Sequence, residues 1–518
     1  MTAPHRLGEL LAGMHITVSA PPGWQTIAIY ALSLNSRTCP PESLFIGLQG
    51  QTHSGAAFTE EAVRRGASAV LISERDVLPA LSQEVVVIRC PHPRRALAII
   101  AARFYDHAAD HLALVGITGT NGKTTVAHLV RQLLPSAQTA YWTTSEVWTG
   151  QRRFRPSMTT PHPTDLHRFF HDATSSGHAY AVLEVSSHAV ALDRVYGLSF
   201  RVGVVTNVSP DHLDFHGDFA HYVQAKRAFA ESLGAEATLV INQDDPTVRE
   251  FADTAKAQVI RIGFSPQADL RASNFRAQPQ GSEAEIHLSA QLASRLGLAK
   301  APSVALRWPL AGRHNLLNAL AALASGLALG QDLETMCQRL ALAKAPIRRM
   351  EVLQVGDYVM VNDVAMNAAS YDTILASVAE LHFKSLVVVN ALRGNRGDEV
   401  NAESARILAE WNQRLGFAPL ILTLSQSELA KLPTDVNVRP AELKAFLAAA
   451  QRGNLATEVH TELNTAIASA VARVEPKGAL LLLGTFGMDS GPQLAARLLA
   501  QRAGVEVTPV TYRTIEPL

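Results

Sequence analysis

The chain is short of the features that usually narrow a protein's class. Of 518 residues only three are cysteine, Cys39, Cys90 and Cys337, far apart and never in C-x-x-C spacing. That excludes a disulfide framework and a zinc knuckle, and it fits a reducing compartment. Charge of one sign is missing too: 46 Lys and Arg balance 46 Asp and Glu, so no net field draws the chain to nucleic acid or to an anionic membrane. No apolar run has the length of a bilayer span, and the opening MTAPHRLGEL carries no export signature. Repeats and low-complexity tracts are absent as well. The expectation is a cytoplasmic protein acting on small molecules, with neither nucleic acid nor membrane as partner and no sign of assembly beyond a monomer.

What is present is alternation. Short runs rich in Val, Ile and Leu, among them SLFIGL, ASAVLIS, VVVIRC, LALVGI, AYAVLEVS, VGVVTNVS and ATLVINQ, alternate with alanine-rich stretches of helical period. Strands apolar on both faces between helices predict parallel sheets in an α/β fold. The pattern restarts with DYVMVND, SLVVVNAL, PLILTLS and ALLLLG, so the chain divides into three α/β units, 1–107, 108–345 and 346–518. The junction AKAPIRRMEV, with Pro346 and paired arginines, is the expected hinge.

Residues 117–125 read ITGTNGKTT, after a strand-like run and before the helix-like TVAHLVRQLL. Gly119 and Gly122 let the backbone turn so that the N–H groups of 119–125, through Thr120, Asn121 and Thr125, face a phosphate. Lys123 is placed to reach the outer phosphates, and Thr124 to offer its hydroxyl to Mg²⁺. The loop is a variant of the Walker A pattern, since Ile117 stands where its first glycine belongs and Gly116 lies one residue earlier. Motors and switches share such loops, so the loop alone fixes ATP as ligand class and leaves the reaction open.

Two further segments narrow it. Glu184 ends the apolar run of LEVSSHAVALDRV, where a carboxylate is costly unless paired or bound to a cation. Asp211, His212, Asp214 and His216 crowd the loop behind another strand. Glu184/His188 and His212/His216 have the i,i+4 spacing that zinc sites use, but no HExxH occurs, and a hard carboxylate near a phosphate loop suits Mg²⁺ better.

With AGRHNLLNALAAL (311–323), LNSRTCPPESLFIGLQGQTHSGAAF (34–58) and MTTPHPTDL (158–166), these segments resemble the Mur ligase family, ATP-dependent ligases that extend the peptide of the cell-wall precursor. The likeness is to the branch that adds the third amino acid to UDP-N-acetylmuramoyl-dipeptide. It implies a three-domain architecture: a nucleotide-sugar domain, a central P-loop ATPase domain and a Rossmann-like third domain for the incoming amino acid. It implies peptidoglycan biosynthesis, ATP, two Mg²⁺ ions, and CO₂ as a carbamate on Lys226. By resemblance Thr124, Glu184, His212 and Lys226 bind metal, and Lys123, Glu184, His212 and Lys226 are catalytic. Asn315 meets adenine, and Arg349, Asp363 and Asn367 serve the nucleotide from the third domain. Ser36 and Arg37 lie near the uridine, while Thr159, Thr160, Ser186 and Arg194 contact the muramoyl part and its phosphates.

The third unit departs from that pattern. In NDVAMNAASYD (362–372), Met366 and Ala368 stand where the family has histidine and proline, a spacing that is similar to cyanophycin synthetases. DNPR and KGHE, the segments tied to the incoming amino acid, do not occur; PLILTLSQSE and GTFGMDSG stand there. Arg393 and Arg396, in LRGNRGDEVN, are candidates for a nucleotide or a substrate carboxylate. The expected reaction is amide formation through an acyl phosphate. The alternatives are a repurposed ligase for a UDP-free acid, a P-loop motor or switch, and a nucleotide-binding pseudo-ligase.

Overall fold

The computed structural model describes residues 4–506 except 51–52, 80, 83, 279–280, 345, 418 and 433–435. Ala345, where the sequence places the second boundary, and Gln51 and Thr52 of the nucleotide-sugar segment therefore lie outside the described residues.

Three sheets organise the chain. The first has five strands, with Ser43–Ile46, Ala69–Ser73 and Val86–Cys90 running parallel and helix Pro93–Phe104 packed on them. The second has eleven strands. In it the phosphate-loop strand Ala113–Thr118 lies between Tyr180–Glu184 and Phe200–Val205, all parallel. The third has six strands, with Ala479–Gly484 between Tyr358–Asp363 and Leu386–Ala391, again parallel. Every residue of these last three strands is buried, which is why the sequence there reads as runs that are apolar apart from Asn362, Asp363 and Asn390 near their ends.

The second sheet is mixed, whereas the sequence pattern leads one to expect parallel strands only. Gln258–Gly263 pairs in parallel with Leu270–Gln278, which turns into an antiparallel extension with Gly281–Leu288 and Ser303–Trp308. These strands bury one face only, so polar residues alternate along them and the apolar run that marks the others never forms.

Register sets the site. Glu184 lies opposite Ile117, and Val205 opposite Thr118, so Glu184, the phosphate loop and the segment from Thr206 leave the sheet at the same edge. That carboxyl-terminal edge is where open α/β sheets bind ligands.

Burial has a further consequence for five histidines. Loss of water holds His128 at about 3, and His162, His167, His188 and His314 at about 4, below the ordinary 6.5. The unfolded chain takes up these protons near pH 6.5 while the folded chain does not, so stability present above that pH is lost as the pH falls toward 4. Each of the more deeply buried rings, His128, His162, His167 and His314, adds a slope of at most about 1.4 kcal/mol per pH unit in this window, and the half-buried His188 less. Calorimetry between pH 7 and 4.5 should therefore show a steadily falling Tm; a flat profile would contradict the buried neutral rings.

Candidate active site

The phosphate loop is tied to the neighbouring strand's end. Thr120 N donates to Asn207 O at 2.9 Å, Asn121 N to Asn207 Oδ1 at 2.9 Å, and Thr206 Oγ1 to Asn121 O at 2.6 Å. Gly119 has φ +141°, and a Cβ there would lie 1.9 Å from Thr206 Oγ1, so only glycine fits. Gly122, at φ +89°, starts helix Lys123–Leu133. Lys123 Nζ donates to Gly119 O at 2.8 Å and to Thr120 O at 3.0 Å, which holds the ammonium against the loop. Burial lowers its pKa, opposed by the charges of Glu184 and Asp211, so both carboxylates act on this amine. Thr124 and Thr125 are buried in the first turn of the helix, where N–H groups and the helix dipole favour an anion.

Glu184 is 1 % exposed, and its oxygens accept from Thr144 N at 2.7 Å and Thr144 Oγ1 at 3.0 Å. Around it the expected substrate residues form one network. Thr144 Oγ1 reaches Thr159 Oγ1, Thr160 Oγ1 donates to Glu184 O at 2.8 Å, Ser186 N donates to Thr160 Oγ1 at 3.0 Å, and Arg194 Nη1 donates to Thr160 O at 2.7 Å. Thr159, Thr160, Glu184, Ser186 and Arg194, from three stretches of sequence, are thus one surface. Thr144 was invisible in the sequence, since a threonine in YWTTSEVW carries no motif.

Lys226 lies on helix Phe219–Glu231 and is 1 % exposed. Among the described residues no carboxylate lies within ion-pair distance of it, and its Nζ sits 4.5 Å from the centre of the Tyr222 ring. Tyr222 Oη is bonded to Thr120 Oγ1 at 2.9 Å, so this lysine is one residue removed from the phosphate loop. Burial, reinforced by Lys123, pushes its pKa well below the usual lysine range.

His212 takes a left-handed backbone, φ +52°, and its N–H donates to Asp211 Oδ1 at 2.9 Å. Its ring centre is 4.8 Å from that of His188, and His188 is 5.5 Å from His216. The i,i+4 pairs do not make a zinc centre: Glu184 ends a strand, His188 is on the next short helix, and no three His, Cys, Asp or Glu side chains among the described residues could hold a metal ion. A hard cation with phosphate and hydroxyl oxygens fits better. Its donors would be Thr124, Glu184 and His212, with a carbamylated Lys226 adding an anionic oxygen. The unpaired, desolvated Lys226 amine fits the carbamate, whose formation turns a costly buried cation into a ligand.

The third sheet closes on this edge. Asn367 Nδ2 donates to Asp211 Oδ2 at 3.1 Å, and Arg396 Nη1 stands 3.5 Å from Asp211 Oδ1. Burial pushes the Asp211 carboxyl up, but His212, Arg396, Asn367 and Lys123 outweigh it and leave it below its ordinary value. Asp211 is thus the pivot between the units, a role that its place in a crowded polar loop did not single out. Asn367 also caps helix Ala368–Ala379 in a capping box with Ser370. Asp363 accepts from Met350 N at 3.0 Å and Val364 N at 2.6 Å.

The paired arginines of the junction divide their work. Arg348 is 5 % exposed and bonds Thr485 O, Gly484 O and Asp489, anchoring the start of the third unit. Arg349 is close enough to Lys123 and Asp363 for its charge to act on both. Asn315 is 1 % exposed, donates to Ala311 O at 2.8 Å and accepts from Asn318 Nδ2 at 3.2 Å. Asn318 in turn lies under Gly122, which connects Asn315 to the loop.

Ser36 and Arg37 line a cleft of about 380 Å³ that also takes in Phe45, His53, Phe58 and His162. His162 belongs to the segment of Thr159 and Thr160, so the cleft runs from the first sheet to the central network. Ser36 is buried and donates to Glu61 Oε2 at 2.5 Å; Arg37 is exposed.

Comparison with known proteins matches the Mur ligase middle domain to residues 117–326 and the Mur ligase family catalytic domain to residues 28–105. The UDP-N-acetylmuramoyl-L-alanyl-D-glutamate–2,6-diaminopimelate ligase of Chlorobaculum tepidum is 36% identical over 407 residues, 75% of this chain and 76% of that one. The ligase of that name from Chlorobium phaeobacteroides is 31% identical over 501 residues, 92% and 91% of the two chains. In overall fold the chain is similar to a solved structure of a ligase of that name, with TM-score 0.67, 22% identity and coverage of 98% and 100%. It is also similar to MurF from Acinetobacter baumannii, with TM-score 0.66, 18% identity and coverage of 96% and 99%.

Proposed function

The chain belongs to the Mur ligase family, and from that premise we infer how its site works as an ATP-dependent amide ligase. The enzyme joins an amino acid to the carboxylate of a UDP-N-acetylmuramoyl peptide through an acyl phosphate, releasing ADP and phosphate. The observation that carries the assignment of roles is the convergence at one sheet edge of the phosphate loop, Glu184 and the unpaired Lys226, at the end of a cleft that begins at Ser36.

We assign residues 1–107 to the nucleotide-sugar domain, 108–345 to the ATPase domain and 346–518 to the domain of the incoming amino acid, a division supported by the three separate sheets. The N–H groups of 119–125 and Lys123 hold the phosphates of ATP, with Asn315 on the adenine side and Arg349, Asp363 and Asn367 contributing from the third domain. Ser36 and Arg37 hold the uridine end of the substrate. Thr159, Thr160, Ser186 and Arg194 lead its peptide toward Glu184. Two Mg²⁺ ions, held by Thr124, Glu184, His212 and carbamylated Lys226, would offset the negative charge of the phosphates and the attacking carboxylate.

The substrate carboxylate attacks the γ-phosphorus, ADP leaves, and the acyl phosphate forms. Lys123 and Arg349 offset the repulsion between the two anions. The amine then attacks the acyl carbon and phosphate departs. The third sheet, fastened through Asp211 to Asn367 and Arg396, brings amine and acyl group together and shields the intermediate from water.

Among the described residues no helix is long and apolar enough to cross a membrane, and Cys39, Cys90 and Cys337 are all buried and free. We place the reaction in the cytoplasm, with one chain as the working unit. With Ser36→Ala and Arg37→Ala combined, KM for UDP-N-acetylmuramoyl dipeptide should rise about 10- to 100-fold, the scale of two lost polar contacts. Unchanged kinetics would point to an acid without the UDP group.

A further inference from the structure

The first turn of helix Arg313–Ala328 is finished by the third unit. Its N-cap, Gly312, has no side chain to serve the free N–H groups there, and Ala311, just before it, is buried in the core of the third sheet. Helix Ala368–Ala379 and its C-cap Glu380 stand over this turn instead. Ser377 Oγ lies 2.9 Å from His314 Nδ1, and the Glu380 carboxylate lies against Arg313, whose charge and backbone N–H both act on it. Gly312 has φ +93°, and a Cβ there would stand 2.4 Å from Ser377 Oγ, so glycine lets the two units come this close.

A second bond fixes the direction of the first. Ser377 Oγ donates its one proton to Thr373 O at 2.9 Å. It can only accept from the ring, so His314 Nδ1 carries the proton. Burial keeps the ring neutral, and a neutral ring has one N–H, which leaves Nε2 a bare acceptor. Among the described residues no donor meets it. Protein surrounds the ring on most sides, and the part that stays exposed is open to a ligand.

The helix decides which ligand comes near. Asn318 lies under Gly122 at the phosphate loop, and His314 is one helical turn further out, about 6 Å along the axis. A nucleotide with its phosphates on the loop carries its base outward past Asn315 toward this turn. An acceptor without a proton separates purines by the group at position 6, since adenine offers N–H there and guanine or hypoxanthine an oxygen.

We propose that Ser377 is a positioning residue for the nucleotide: it holds His314 in the Nδ1–H form, so that Nε2 accepts from the 6-amino group of adenine, and the base is read in full only when the third unit is docked. The inference rests on the amide-ligase reading above.

The test uses the full chain with Mg²⁺, UDP-N-acetylmuramoyl dipeptide and its best amino acid, and compares ATP with inosine triphosphate. The wild type should prefer ATP in kcat/KM by about 10- to 100-fold, the scale of one hydrogen bond exchanged for an unpaired acceptor. Ser377→Ala should lose most of that preference, and Ser377→Thr, which keeps the hydroxyl, should retain it. A role in docking alone would lower kcat with both nucleotides and leave their ratio unchanged, and that result would overturn the proposal, as would a wild type indifferent to the base. Nitrogen NMR of ring-labelled protein, with the His314 signals assigned by their loss in His314→Gln, should show Nδ1 protonated in the wild type and a mixture in Ser377→Ala. A wild-type ring protonated on Nε2 would also refute it. If neither nucleotide is turned over, the ligase reading fails instead. Thermal shifts then decide Ser377: a larger shift with ATP than with inosine triphosphate that is levelled in Ser377→Ala supports it, and a difference that persists refutes it.

Discussion

Lys226→Ala should lose ligase activity by about 10³-fold or more, in line with the removal of a preorganised charge from a closed site. The reason lies in the lysine's surroundings. It is 1 % exposed, faces an aromatic ring, and is held well below the usual lysine pKa by burial. Burial without an ion-pair partner disfavours the charged form of this amine. Addition to CO₂ would form the N–C bond, release one proton and leave an anionic carbamate two steps from the phosphate loop, through Tyr222 and Thr120. Bicarbonate or acetate, able to enter the space left by the side chain, should restore part of the activity of Lys226→Ala. Labelled ¹³C-bicarbonate should give a carbamate resonance in the wild type that is missing from the variant. Full activity of a folded Lys226→Ala would sink the carbamate assignment.

Lys123→Ala should lower kcat by about 10³-fold or more, comparable to losing a cationic group that stabilises phosphoryl transfer. The Nζ is the nearest cation to the loop, held by Gly119 O and Thr120 O, and it lies in the combined field of Glu184 and Asp211. Without it the two carboxylates face the phosphates with less charge to balance them, so ATP binding should weaken as well. Folding should survive, since the loop is also tied by Asn207 and Thr206. Calorimetry of the variant checks that point, and activity near the wild-type level would show that Lys123 does not meet the phosphates.

Much of this was legible in the sequence, for identifiable reasons. Strands buried on both faces announce themselves, and Ala113–Thr118, Leu386–Ala391 and Ala479–Gly484 lie within a residue or two of where their apolar runs place them. Loop, Glu184 and His212 could be brought to one edge because parallel strands present their ends together. The antiparallel extension after Leu270 was not legible, since one-sided burial leaves an alternation that polar loops also show. Thr144, Arg348 and the pivot Asp211 act through partners distant in sequence, and no local spacing encodes such contacts. The departures at Met366 and in GTFGMDSG were visible as departures, but only the third sheet shows that Met366 and Phe486 pack on the same arginine, Arg393.

ADP release, measured with Mg²⁺-ATP across a matrix of acids and amino acids with product masses determined, tests the ligase reading most directly. Release should require UDP-N-acetylmuramoyl dipeptide and one amino acid together, and the product mass should be their sum less one water. Release with ATP alone, or with an acid that lacks the UDP group and not with the UDP-peptide, would contradict it.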